Sequence, residues 1–179
     1  MAESEARGRP RKLEAIEGIV LADAVQGGLV AGIVLIAAAM VTAAIGGRRV
    51  ADPWIDASSI VLGSSALSGP ATWGIFIVGF FVHFGLSAIY GAIWGAIANR
   101  LTPFARDSPV IHAVAGMTYG FLLWVINVRV IALIVYPWIA QEPALTPLVL
   151  HVAGYGLPLG LYVALRLRPV EKRREPVRV

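Results

Sequence analysis

Five polar side chains stand inside long apolar runs of this sequence: His83, Asn127, Arg129, His151 and Tyr155. A polar group left unpartnered in hydrocarbon costs several kcal/mol, so each one marks a position where the chain has a use for it. Two imidazoles on different helices can relay protons, hydrogen-bond a solute or act as axial ligands of a b-type haem. An arginine at similar depth can neutralise an anion or reach along its own stem to lipid headgroups. His83 lies about 11 residues into its helix, roughly 16 Å at the helical rise, while His151 and Arg129 lie roughly 10 Å from the same surface. Asn127 and Tyr155 sit at a similar depth, so all five can share one candidate binding layer. On an ideal helix Asn127 projects roughly 200° away from Arg129, which separates those two. The alternative is structural: Arg129 snorkels and the others tie helices together.

His112 is expected near water at the cytoplasmic mouth of its helix. His112, Gly116, Gly120, Trp124 and Asn127 follow one helical face, which should point into the bundle. No Ser/His/Asp set and no pair of carboxylates occurs within the apolar runs, so no catalytic residue is assigned and a non-enzyme is the favoured reading. The absence of cysteine removes disulfides, thiolate chemistry, iron–sulfur clusters, cysteine zinc sites and covalent haem attachment. No metal site is assigned.

The elements that must hold these groups follow from charge and hydropathy. Of the 179 residues, 58% are hydrophobic and 15% charged, more apolar surface than a soluble domain of this size can hide. Stretches without charge run from Ala24 to Gly47, Ala57 to Asn99, Ser108 to Val128 and Pro143 to Leu165, and each is long enough to span. They predict an all-α integral membrane four-helix bundle with helices at about 24–45, 72–98, 109–136 and 147–166. The spans form a domain over residues 21–166, between basic tails at 1–20 and 167–179. Pro109 behind Ser108 and Pro147 behind Thr146 predict helix starts with proline at the first position and a hydroxyl cap.

Twelve lysines and arginines lie in the two tails and the middle loop, against only Arg48 and Arg49 in the outer loops. This places both termini in the cytoplasm of a bacterial inner membrane. The basic residues flank apolar runs, so anionic lipid headgroups rather than nucleic acid are the expected partner. Trp54, Trp73, Tyr136 and Trp138 are expected to form an outer aromatic belt. The long first outer loop, 46–71, contains a helical stretch from Trp54 to Gly63, read as an interfacial connector, with a lid or re-entrant element as the alternative.

Small residues recur at helical spacing: Gly28 and Gly32 in the first helix, Gly91 and Gly95 in the second, Gly116 and Gly120 in the third, Gly156 and Gly160 in the fourth. In lipid, such stripes let backbones approach closely, so these are assigned to helix packing. Sliding the chain by 84 residues superposes Asp23, Val30-Ala31-Gly32 and Pro53-Trp54-Ile55 on Asp107, Val114-Ala115-Gly116 and Pro137-Trp138-Ile139. A shift of 68 brings His83 over His151. The chain therefore reads as two duplicated helical hairpins, parallel and related by an axis along the membrane normal.

Helix one's small residues, His83 leading to Tyr90-Gly91, Gly116 to Gly120 with Trp124 and Pro137, and His151 to Gly160 together resemble uncharacterised bacterial four-span inner-membrane proteins of the YagU-like kind. The likeness covers about residues 24–165 and implies no chemistry. The expected activity is a non-enzymatic accessory or scaffold subunit, or an oligomeric bundle, with a homo-oligomer or membrane complex as the assembly and no cofactor. Two alternatives stand beside it. One is a small-solute or proton-linked transporter or channel using the His83, Arg129 and His151 layer, and the other is a redox subunit holding haem b between His83 and His151.

Overall fold

The computed structural model describes residues 9–100, 108–141 and 143–166, with side chains from Leu21 onward. The tail segments 1–8 and 167–179, and the middle-loop Arg106, lie outside the described residues. Four helices are long and apolar enough to cross a membrane, Leu21–Ile45, Trp73–Ala98, Pro109–Val135 and Leu145–Arg166, and every regular element among the described residues is helical. The protein is a multi-pass, all-α membrane bundle. Its outward faces carry Ile33, Val41, Phe81, Ile89 and Ile134, all exposed, as lipid contact requires.

In chain order the helices are α1 (Arg9–Ile45), α2 (Asp52–Leu62), α3 (Ser65–Ser68), α4 (Trp73–Ala98) and α5 (Pro109–Trp124). A π-helical segment, Val125–Ile131, leads to α6 (Ala132–Val135). After α7 (Pro137–Ala140) and α8 (Leu145–Val149), a second π segment, Leu150–Gly156, leads to α9 (Leu157–Arg166).

Helix α1 begins at Arg9 rather than near Ala24, so helix runs back through most of the segment read as a tail. Nothing between Arg11 and Ala24 breaks it: Gly18 is the lone poor helix former there. The start at Pro109 is as expected, with the Ser108 hydroxyl accepting from the Ile111 amide at 3.3 Å. The start at Pro147 is corrected: the fourth span opens at Leu145 behind Ala144, and Pro147 falls inside the first turn, where its missing N–H has no intrahelical partner to lose.

All eight packing glycines are buried. A Cβ on Gly91 would lie 2.9 Å from the Gly28 Cα, and one on Gly116 would lie 2.9 Å from the Gly160 Cα. Either is closer than real Cβ atoms come, so α1 against α4 and α5 against α9 cross backbone to backbone, held by dispersion. The crossings correspond closely. Gly28 meets the Ser87 carbonyl and Gly91, while Gly116 meets the Gly156 carbonyl and Gly160. By contacts, then, Gly28 matches Gly116, one helical turn away from the match of Gly32 with Gly116 expected from the 84-residue shift.

The hairpins join through α1, which packs on α9 and on the second π segment. No comparable backbone seam closes α4 against α5 among the described residues; aromatic side chains bridge that gap instead. At the end of the bundle where α1 begins and α9 finishes, Tyr162 donates to Gln26 at 3.2 Å and Arg166 approaches Asp23 at 3.9 Å. We call this the tail end, and the opposite one the connector end. With four spans, reporter fusions at residues 1 and 179 are expected on one and the same side of the membrane. Fusions reporting from opposite sides would overturn this topology.

Candidate functional site

The connector between the first two spans builds the roof of the site. Asp52 and Pro53 open α2, and Arg48 and Arg49 clamp its first turns: Arg48 bonds Asp56 at 2.8 Å and Arg49 bonds Asp52 at 2.7 Å. These pairs are partly exposed and each stabilises the structure by less than about 1 kcal/mol. What pulls α2 inward is Gly79 on α4, where the missing side chain lets the Trp54 backbone rest on the helix. Ile55, Ser58 and Ser59 are buried as a result, and the Ser58 and Ser59 hydroxyls donate to carbonyls within α2, at Ile55 and Asp56.

The loop is thus a cap packed on α4, with Ile55 buried against the bundle rather than facing the interface while Val61 and Leu62 remain exposed. The four residues expected in an aromatic belt differ in their surroundings. Trp54 stands edge-on to His83, with centroids 5.9 Å apart, and Trp138 donates to Ser59 at 3.0 Å. Of the four belt residues only Trp73 is strongly exposed, at 84%.

Beneath α2, between the two hairpins, lies a cavity of about 340 Å³. His83, Asn127, His151 and Tyr155 all line it, together with Ser87 and Tyr90 and a larger number of apolar groups. Four of the five expected binding residues therefore meet. Arg129 is the exception and is corrected: it is absent from the lining, and its guanidinium lies over the Trp124 ring, 5.1 Å from the centroid. The opposed directions of Asn127 and Arg129 are those expected from helical geometry. His112 is corrected as well. It is fully buried rather than near water, with its carbonyl beneath Gly160.

A hydrogen-bond chain orders the chamber walls. His83 donates through Nε2 to the Gly32 carbonyl at 2.9 Å, and Ser87 donates to the His83 carbonyl at 2.8 Å. Tyr155 donates to the Ser87 carbonyl at 2.7 Å, Tyr119 to the Tyr90 carbonyl at 2.9 Å, and Tyr90 to Asn127 Oδ1 at 2.7 Å. His151 donates through Nδ1 to the Pro147 carbonyl at 2.7 Å. A carbonyl can only accept, so the proton sits on Nε2 of His83 and on Nδ1 of His151. The bonds from His83, Tyr90, Tyr119 and Tyr155 tie one span to another, that of His151 stays within its own helix, and the cavity lies among them.

Both π segments bear on this site. Asn127 and Arg129 lie in the first, His151 and Tyr155 in the second. A π turn widens the helix and redirects the residues on it, and such turns gather at functional positions. Sequence periodicity at 3.6 residues per turn cannot reveal them. Tyr90, Ser87 and Gly79 were also not assigned to a site, although Gly79, His83, Ser87 and Gly91 recur every four residues down one face of α4 and extend the small-residue stripe.

A second cavity of about 440 Å³ lies nearer the connector end, reaching Arg48, Asp56 and Trp138. It shares Leu35, Val128, Ile139 and His151 with the first, so His151 stands in the wall between them. Toward the tail end the glycine crossings bring the helices into close contact, and Trp94 and Tyr119 pack against each other at a tilt, with centroids 5.3 Å apart. Cavities of this size fit small molecules, and a mainly apolar lining with a few convergent polar groups is the usual character of a ligand site. No group of three or more metal-ligating side chains occurs among the described residues. No family model, curated protein or solved structure matches this chain, so its function must be argued from this geometry.

Proposed function

We propose that the chain is a bacterial inner-membrane protein, both termini cytoplasmic, that binds a small uncharged solute in the chamber and passes it to and from the connector end. One observation carries the reading: His83, Asn127, His151 and Tyr155, from three different spans, line one cavity, and His151 also lines the pocket that continues toward the connector end. The basic asymmetry supports the orientation, and the resemblance to YagU-like proteins agrees with an inner-membrane setting. The matching glycine crossings support a duplicated hairpin with parallel copies. Anionic headgroups remain the partner of the basic tails, and the exposed apolar faces leave room for a second copy or another membrane subunit.

An accessory or scaffold role accounts for the glycine seams but leaves the chamber without a use. Haem b between the histidines gains less support, because His83 already donates Nε2 to Gly32 and Trp54 stands against its ring.

The cysteine-free chain makes a direct test possible. In vesicles, Asn127→Cys is expected to react with a small membrane-impermeant thiol reagent added on the connector side and to resist it on the tail side. Reconstituted protein is expected to speed the entry of a short alkane diol, read by light scattering, with the gain lost in a His83→Ala, His151→Phe double variant. An unreactive Asn127→Cys together with unchanged entry rates would sink the solute reading and return the chain to the accessory class.

A further inference from the structure

The chamber's polar atoms are unequal, and the inequality bears on what it can hold. This inference rests on the solute-binding reading above. His151 has Nδ1 bonded to the carbonyl one turn back on its own helix, so Nε2 is at the far edge of the ring, facing away from that backbone, and it carries no hydrogen bond. His83 has likewise committed its N–H to Gly32. Asn127 accepts from Tyr90 through Oδ1, which leaves its amide nitrogen as an unbonded donor. Tyr155 donates to Ser87. The chamber thus offers bare imidazole nitrogens that can only accept, Nε2 of His151 and Nδ1 of His83, the latter on a ring that Trp54 and Phe84 crowd, and one amide nitrogen that can only donate.

No lysine, arginine, aspartate or glutamate lines the chamber, and the nearby Arg129 is turned onto Trp124. A carboxylate ligand would find no cation, and an ammonium would find no carboxylate; either charge would be desolvated without repayment in Coulomb energy. A hydroxyl matches both free valences, because it donates to a bare nitrogen and accepts from an amide. We infer that the chamber selects neutral, mainly apolar molecules carrying a hydroxyl, held by His151 Nε2 as acceptor with the Asn127 amide as donor.

Three probes with one skeleton separate the possibilities: 2-phenylethanol, its methyl ether, and phenylacetate. Each is equilibrated by dialysis against the full chain in lipid nanodiscs, with empty nanodiscs as the blank. The alcohol is expected to bind above the blank and about tenfold more tightly than the ether, the usual effect of losing one buried hydrogen bond. Phenylacetate is expected to show no binding above the blank. In His151→Phe the difference between alcohol and ether should largely vanish while the ether still binds. Equal affinity for alcohol and ether in the unaltered chain would overturn the hydroxyl selection and leave the solute-binding reading standing. Tighter binding of phenylacetate than of the alcohol would overturn it too, since an anion would then be the preferred guest. If none of the three binds above the blank, and Asn127→Cys also resists labelling from both sides, the solute-binding reading fails together with the selection.

Discussion

Gly116→Leu, and separately Gly91→Leu, is expected to lower the melting temperature of the purified bundle by about 10 °C or more, or to prevent its folding. A Cβ at Gly116 would already press on the Gly156 carbonyl and come within 2.9 Å of the Gly160 Cα. These are backbone atoms of the partner helix and cannot swing aside as the tip of a side chain can. A leucine adds three more carbons, so the helices must separate along the seam and lose the dispersion contacts that hold them in a solvent as apolar as themselves. Overpacking a tight contact costs about 1–3 kcal/mol and more where backbones meet, and each kcal/mol is worth about 2–4 °C in a chain of this size. Gly85 supplies the control: it is on α4, it is exposed, and a Cβ there would meet nothing within 4 Å. Gly85→Leu should melt like the parent. If the two seam variants also melt like the parent, the glycine crossings do not hold the bundle together.

Gly79→Leu is expected to expel α2 from the bundle while the four spans remain assembled. The Trp54 backbone occupies the space that a side chain at Gly79 would take, so helix and cap cannot both keep their positions. Ser58 is fully buried on the inner face of the cap, which makes it a sensitive reporter in a chain without cysteine. Ser58→Cys alone should resist a membrane-impermeant maleimide for as long as the cap is seated. Combined with Gly79→Leu it should label readily, by an order of magnitude or more in rate. Because α2 also roofs the chamber through Ala57 and Ile60, the same displacement should weaken retention of 2-phenylethanol. Continued protection of the cysteine in the Gly79→Leu background would mean that α2 is held by its ion pairs and the Trp138 bond rather than by its seat on α4.

The spans and seams were open to sequence reasoning because lipid imposes local rules. A charge-free run must be helical to satisfy its own backbone, and glycines four residues apart must lie on one face, so Trp73–Ala98 and the pairs Gly28 with Gly32 and Gly116 with Gly120 could be placed from the chain alone. The polar layer was also legible, since His83, Asn127, His151 and Tyr155 are costly in hydrocarbon wherever they point. Their direction was another matter. That Asn127 and Arg129 point apart follows from helical spacing, but which of the two faces the chamber and which lies over Trp124 depended on how the third span is turned against its neighbours.

Composition and periodicity by themselves determined that this chain has four spans long and apolar enough to cross a membrane and which helix faces are narrow enough for close crossing, because those follow from backbone satisfaction and from side-chain size at fixed helical spacing. Only the tertiary structure decided that α2 turns inward onto Gly79, that His112 is buried, and that a chamber opens beneath the cap while Arg129 stays outside it. Each of these depends on surfaces brought together from distant parts of the chain, where the absence of one Cβ or one extra residue in a helical turn settles which side chain meets which.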